Sequence, residues 1–132
     1  FLKRVAECPE CPKSACPSPE RYMRAFDCEA EHVYAVTLSA ELSGSYNSAV
    51  LGKNLYLEDH PDAKVYVFNS CSASVGETLI GLKIQELEEK GLSFEEVVEQ
   101  TGETAETVGT ETAEEAAKEV EAIESGNEGM NE

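Results

Sequence analysis

The feature that most constrains the fold is a pair of short, nearly continuous apolar runs. Residues 33–38 and 65–68 are rich in β-branched and aromatic side chains, and hydroxyl-rich turns follow both. A run without polar alternation is typical of a strand that is covered on both faces, as in a parallel sheet. The segment between the runs is long enough for a crossover helix, so we predict an α/β fold, a parallel sheet with flanking helices.

Helix signals surround the two strands. Ser18-Pro19-Glu20 places a hydroxyl N-cap, a proline and an acid in the order that begins a helix, which we expect to end near residue 26. Further helices are predicted over residues 45–57 and 75–90, the second closed by Gly91. Residues 93–96 have the sequence of a capping box, which predicts the start of one more helix. Residues 1–16 read as a short helix followed by a Pro- and Cys-rich loop.

The composition changes after residue 100. Residues 101–132 contain ten Glu and one Lys, which account for −9 of the net charge of −17, and they contain few large apolar side chains. We therefore predict a folded domain over residues 1–100 and a weakly ordered, acidic Thr/Glu/Ala-rich tail over residues 101–132. The overall negative charge argues against nucleic acid and anionic membrane surfaces as partners.

Both predicted strands end in hydroxyl-rich turns, residues 39–45 and 69–74. Ligands of open parallel sheets bind beyond the carboxyl ends of the strands, and a helix N-terminus favours anions. Gly44 suggests close approach of the backbone to a ligand. The first turn lacks Lys and Arg, which favours a singly charged carboxylate over a phosphate. The same hydroxyls could equally serve only as helix caps.

Three segments together resemble the DegV family. Residues 36–49, Val-Thr-Leu-Ser-Ala-Glu-Leu-Ser-Gly-Ser-Tyr-Asn-Ser-Ala, resemble its strand and following Ser-Ser-x-Leu-Ser-Gly-Thr-Tyr-x-Ser-Ala motif. Residues 13–20 resemble its Thr-Ser-x-Pro-Ser-Pro loop, and residues 68–76 its Asp-Ser-x-Ser-Ala-Ser-x-Gly turn. The motifs occur in the family's order and span about residues 11–100. Asn69 stands where Asp is usual and Cys71 where Lys is common.

The resemblance implies a protein that binds one long-chain fatty acid and presents it to a bacterial fatty-acid kinase. In this family turn hydroxyls hold the carboxylate, and the acyl tail lies in an apolar tunnel. The carboxylate-binding threonine maps onto Ser14. The binding serine maps onto Ser39, because the adjacent residue is Ala40, and Ser43 is the second choice. The resemblance implies no catalytic residue, no metal and no cofactor; the fatty acid is the ligand.

The family pattern extends beyond this chain at both ends. Its opening strand would precede Phe1, and a second domain that closes the tunnel would follow the matched region. We interpret the chain as a truncated or altered part of the N-terminal domain of a DegV protein. On that interpretation it binds fatty acid weakly or not at all, because half of the tunnel wall is absent.

Two alternatives remain open on sequence alone. One is a small α/β hydrolase or transferase that uses a turn serine, and the other is a non-functional fragment. His32 lies about 20 Å or more from Ser39 along the strand, whereas His60 could approach in space. A Gly-x-Ser-x-Gly elbow is absent from the sequence.

The cysteines and the apolar stripe of the helix over residues 75–90 complete the sequence evidence. Cys8-Pro9-Glu10-Cys11 lacks a second Cys-x-x-Cys pair, so we predict no metal site. The sequence shows no secretory signal and no apolar run long enough for a membrane span, which predicts reduced thiols and a cytoplasmic protein. The helix over residues 75–90 carries an apolar stripe that could form core or line an acyl tunnel. Its members are Leu79, Leu82, Ile84 and Leu87.

Overall fold

The structure, a computed structural model, describes residues 1–10 and 13–128. The elements in chain order are α1 (Leu2–Glu7), α2 (Pro19–Phe26), β1 (His32–Thr37), α3 (Ser45–Asp59), β2 (Lys64–Asn69), α4 (Val75–Glu89) and α5 (Phe94–Glu128). From α2 onward this is the predicted alternation of helices and strands. The predicted start of α2 is also present, because the Ser18 hydroxyl accepts a hydrogen bond from the backbone N–H of Arg21 at 3.4 Å.

The two strands pair in parallel and in register. His32 lies opposite Lys64 at one end of the ladder, and Thr37 lies opposite Asn69 at the other. In the described part of the chain these two strands form the whole sheet. The α/β prediction is therefore confirmed, and the pairing places the carboxyl ends of both strands, with the turns that follow them, side by side.

Helices cover both faces of this sheet. Alternate strand residues point to opposite faces, so each strand contributes to two cores. The core on the α2 and α3 side contains Phe26, Ala49, Tyr56, Val65 and Val67. The core on the α4 and α5 side contains Phe68, Ile80, Ile84, Leu87, Val97 and Ala105. This two-sided burial explains why neither strand shows the alternation of apolar and polar residues typical of a half-exposed sheet.

Helices α2 and α3 approach each other closely at Gly52. A Cβ on this residue would lie 2.5 Å from the carbonyl oxygen of Pro19 and 2.8 Å from the Cβ of Tyr22. Glycine is thus required at this position by the space between the helices.

Helix α5 differs from the expectation for the C-terminal region. Its predicted capping box is present: Ser93 N–H donates to Glu96 Oε2 at 2.9 Å, and Glu96 N–H donates to Ser93 Oγ at 3.3 Å. The helix continues past residue 100 with Thr101 and Ala105 buried, and Gly109 packs against Cys71. Residues 101–109 of the predicted tail therefore pack against the rest of the domain, mainly through small side chains. Residues 129–132 lie outside the described residues.

A polar cluster joins the start of β1 to the end of α4. Glu88 accepts a hydrogen bond from the Tyr34 hydroxyl and lies 2.6 Å from His32 Nδ1. The Phe94 ring stacks on Tyr34 with ring centres 5.3 Å apart. The bonds from Tyr34 and then His32 hold the pKa of Glu88 below its ordinary value. Burial, followed by the bond to Glu88, raises the pKa of Tyr34.

Substitution of Gly52 by Ala will destabilise the fold, because the new methyl group would overlap the backbone of Pro19. We expect a loss of about 1–3 kcal/mol in the free energy of unfolding. Gly81→Ala in α4 is the matched control, since a Cβ there meets no atom within 4 Å. It should stabilise the chain by up to about 1 kcal/mol through helix propensity. Urea denaturation of both variants measures the difference, and equal stabilities would contradict the close approach.

Substitution of Glu88 by Gln tests the polar cluster. A carboxyl whose pKa is lowered by folding stabilises the protein above its unfolded pKa, and this stabilisation is lost as the pH falls through the folded pKa. We expect Glu88→Gln to cost about 1 kcal/mol near neutral pH, a modest value because solvent screens a partly exposed side chain. The stability difference between Glu88→Gln and the parent chain should approach zero when the pH falls well below about 4. Glu99→Gln, at an exposed position of α5, is the control; a pH-independent cost for Glu88→Gln would refute the assignment.

Candidate functional site

The turns that follow β1 and β2 form one continuous surface. Ser39 N–H donates to the carbonyl oxygen of Ser72 at 2.9 Å, and Ser70 N–H donates to the carbonyl oxygen of Thr37 at 3.3 Å. Ala40 N–H donates to Asn69 Oδ1 at 3.0 Å. The parallel ladder thus continues as cross-bonds between the turns, which brings two of the three sequence motifs together at the carboxyl edge of the sheet.

Ser39 lies on this surface with its side chain largely buried, at 7% exposure. Its Oγ accepts a hydrogen bond from Glu41 N–H at 3.3 Å. Its carbonyl oxygen accepts the N–H groups of Leu42 and Ser43. Among the described residues the hydroxyl hydrogen of Ser39 has no acceptor, so this group can donate to a bound anion.

Ser43 is half-buried and acts at the start of α3. Its Oγ accepts the Ser45 N–H at 3.2 Å and donates to Ser45 Oγ at 3.0 Å. Gly44, the N-cap residue, provides no side-chain cap. The hydroxyl of Ser43 is therefore already engaged in ordering the first turn of α3. The Ser43 hydroxyl is therefore less available as a donor than the Ser39 hydroxyl.

Ser14 lies in the loop before α2, where its side chain is exposed and makes no hydrogen bond to a described residue. The loop reaches the first turn through other residues. Ser48 Oγ donates to the carbonyl oxygen of Pro17 at 2.6 Å, and Cys16 Sγ lies 3.7 Å from the position of a Cβ on Gly44. The loop therefore contacts the turn, and among the described residues Ser14 has no hydrogen bond to Ser39 or Ser43. The three carboxylate-binding assignments remain predictions.

Gly44 does not need to be glycine for its conformation. Its φ of −69° is open to any residue, and a Cβ would make only ordinary contact with Cys16. The expectation that the backbone at Gly44 approaches a ligand closely remains a prediction.

Asn69 is the residue that sequence reasoning underestimated. It counted as a departure that weakened the third motif, yet its Oδ1 accepts two backbone N–H groups, from Ala40 at 3.0 Å and from Cys71 at 3.1 Å. The available signal was its position at the end of the second strand. That signal becomes informative only when the parallel register, which sets Asn69 opposite Thr37, is known.

Neither histidine contacts a turn serine within the described part of the chain. His32 is bonded to Glu88 at the start of β1, the end of the strand remote from Ser39. His60 follows α3, at the opposite end of that helix from the turn, and stacks on Tyr56 with ring centres 4.3 Å apart. A serine–histidine pair is therefore not assembled from these residues.

The thiols show no metal-binding arrangement in the ranges 1–10 and 13–128. Cys8, Cys16, Cys28 and Cys71 are free and exposed, and these ranges contain no cluster of three or more His, Cys, Asp or Glu suited to a metal ion. Cys11 lies outside the described residues. No helix in the described ranges has the length and apolar character to span a membrane.

Exposed apolar side chains flank the two turns. The predicted stripe on α4 divides, with Ile84 and Leu87 in the core and Leu79 and Leu82 exposed. Further exposed apolar residues adjoin the site in sequence: Leu38, Leu42 and Val75. A separate cleft of about 800 Å³ lies beside α1, and none of the three candidate serines lines it.

The family model for DegV, described as a family of uncharacterised proteins, matches residues 1–119. The chain belongs to the DegV family. A DegV domain-containing protein of Streptococcus pneumoniae is 54% identical over 90 residues, which are 68% of this chain and 32% of that protein. This chain thus spans about a third of the length of the curated DegV relatives that it matches.

Solved DegV structures have the same fold. A DegV family protein from Ruminococcus gnavus, refined with vaccenic acid, is 60% identical with a TM-score of 0.73, covering 79% of this chain and 37% of that one. The fatty acid kinase B3 protein of Streptococcus pneumoniae, loaded with linoleic acid, is 48% identical with a TM-score of 0.71, covering 80% and 37%. A DegV protein from Eubacterium eligens, loaded with heptadecanoic acid, is 31% identical with a TM-score of 0.72.

Proposed function

We propose that this chain forms the carboxylate-binding part of a long-chain fatty-acid carrier. The observation that carries the proposal is the Ser39 hydroxyl, which is nearly buried beside the N-terminus of α3 and has no acceptor for its hydrogen among the described residues. Relatives with the same fold are loaded with vaccenic, linoleic and heptadecanoic acid. The carboxylate of a fatty acid is a suitable acceptor for the hydrogen of the Ser39 hydroxyl.

The charge of the turn favours this ligand. Hydroxyl and backbone donors at a helix N-terminus stabilise a single negative charge, and bonds to an ionised acceptor are stronger than neutral ones. The turn over residues 39–45 contains Glu41 but no cationic side chain. A doubly charged phosphate would find no cationic side chain in this turn to balance its charge. A singly charged carboxylate can be held by the hydroxyl and backbone donors alone.

The exposed apolar residues provide a surface for the acyl chain. Leu42 and Val75 lie within or next to the two turns, and Leu79 and Leu82 continue along α4 with about half of each side chain exposed. Burying such side chains against a hydrocarbon chain is favourable, at roughly 25 cal/mol per Å² of apolar surface. In a protein as long as the solved relatives, the remaining polypeptide would cover the other side of the acyl chain.

We further propose that the carrier presents its ligand to a fatty-acid kinase and has no catalytic activity of its own. The similarity to the fatty acid kinase B3 protein supports this partnership. The hydrolase alternative requires a base beside the serine, and both histidines are bonded elsewhere. The carrier needs no cofactor. Free, exposed thiols are typical of the reducing cytoplasm, the compartment that we propose.

Native mass spectrometry with vaccenic acid tests ligand binding. We expect one fatty acid per chain and an affinity about tenfold or more lower for Ser39→Ala, because the variant loses a charge-assisted hydrogen bond. Ser14→Ala should weaken binding less than Ser39→Ala, and Ser43→Ala less again. Ser93→Ala is the matched control, since it removes an N-cap hydroxyl at α5 and lowers stability without touching the turns.

Two outcomes would contradict the carrier. Absence of vaccenic acid binding at any concentration below its aggregation limit would reject the proposal for this chain. Release of product from a chromogenic acyl ester, abolished by Ser39→Ala and unaffected by Ser93→Ala, would establish the enzyme instead.

A bacterial fatty-acid kinase with ATP tests the partnership. We expect ADP release when the chain is preloaded with vaccenic acid and none with the unloaded chain, because the carrier supplies the phosphoryl acceptor. Ser39→Ala should lower the rate in proportion to its lower loading. ADP release that is equal with loaded and unloaded chain would refute the presentation step.

A further inference from the structure

The side-chain oxygen of Asn69 bridges the two turns of the site. We infer that Asn69 is a positioning residue, one that fixes the peptide carrying Ser39 so that its hydroxyl faces the carboxylate. The inference rests on the proposed function, because it concerns the same carboxylate site.

The first step is the peptide group between Ser39 and Ala40. Its N–H, on Ala40, donates to Asn69 Oδ1 at 3.0 Å. Its carbonyl oxygen, on Ser39, accepts the N–H groups of Leu42 and Ser43 at 2.9 and 3.1 Å. A planar peptide held at both ends has a fixed orientation. The backbone of Ser39 is thereby held on its carbonyl side, and the hydrogen bond from Glu41 N–H to Oγ restrains the rotation of the side chain.

The second step concerns the other turn. Asn69 Oδ1 also accepts Cys71 N–H, and Cys71 has a φ of 51°, a left-handed conformation that is unfavourable for a residue with a side chain. The next residue, Ser72, provides the carbonyl oxygen that accepts Ser39 N–H. The same oxygen of Asn69 therefore supports both turns, and each turn holds one side of Ser39.

The third step is the chemistry of the amide. Asn69 supplies an acceptor for two N–H groups without a negative charge. An apolar side chain at this position would remove the acceptor that both N–H groups share. The aspartate that is usual at this position in the family pattern would keep the acceptor and add a negative charge. The amide of Asn69 supplies the acceptor for both turns without that charge.

The test compares Asn69→Leu, which removes the acceptor at similar volume, with Asn69→Asp, which retains it. Vaccenic acid affinity should fall about tenfold in Asn69→Leu, the equivalent of one hydrogen bond to a charged group. Asn69→Asp should recover most of that loss at about 0.5 M salt, where the added charge is screened. Asn54→Leu, on the exposed side of α3, is the control for the substitution itself and should bind as the parent chain does.

A double-mutant cycle separates positioning from a general loss of stability. If Asn69 acts through Ser39, Asn69→Leu should have little further effect on affinity in a Ser39→Ala background. Equal losses in both backgrounds, or an Asn69→Leu variant that binds as the parent does, would overturn the inference. If Asn69→Leu does not fold, Asn69→Ala takes its place in the cycle.

Amide hydrogen exchange distinguishes failure of this inference from failure of the proposed function. Exchange at Ala40 and Cys71 should be faster in Asn69→Leu than in the parent chain and should be restored in Asn69→Asp. If no variant binds vaccenic acid, the carrier proposal fails, and the exchange rates still decide the role of Asn69. Unchanged exchange at both amides would reject it.

Discussion

The in-register parallel pairing of β1 with β2 is the interaction on which the rest of the structure depends. It aligns Thr37 with Asn69, so two turns separated by about thirty residues in sequence begin at the same edge. The cross-bonds from Ser39 to Ser72 and from Ala40 to Asn69 follow from that alignment. A shift of one residue would reverse the face of every strand side chain and separate these partners.

The strand pair is stable only because helices cover it on both sides. A two-stranded sheet is at best marginal alone, and here its two faces belong to two separate cores. Glycines set the distances between layers. The absence of a side chain on Gly52 lets α2 pack closely on α3, and its absence on Gly109 lets α5 pack closely on the turn at Cys71. The turn at Cys71 is thus held both by the sheet and by the long C-terminal helix.

The site combines two uses of the same kind of residue. Hydroxyls at the starts of helices ordinarily satisfy unpaired N–H groups, and Ser43 does this for α3. Ser39 accepts one N–H and has a hydrogen left to donate. A hydroxyl that already donates its hydrogen to a protein acceptor acts only as a cap, whereas one whose hydrogen has no acceptor can also bind a ligand. Residue type alone does not reveal this difference.

The sequence by itself determined the order of helices and strands, the parallel sheet and the family, because apolar runs, caps and motif spacing are local signals. The tertiary structure decided what depends on contacts distant in sequence. Residues 101–109 looked like a tail because they contain few large apolar side chains, yet Thr101 and Ala105 are buried, Ala105 in the core with Phe68 and Ile80. Asn69 looked like a weakened motif, and only the strand register revealed that its oxygen joins two turns. Burial and register are properties of pairs of segments, which no single stretch of sequence encodes.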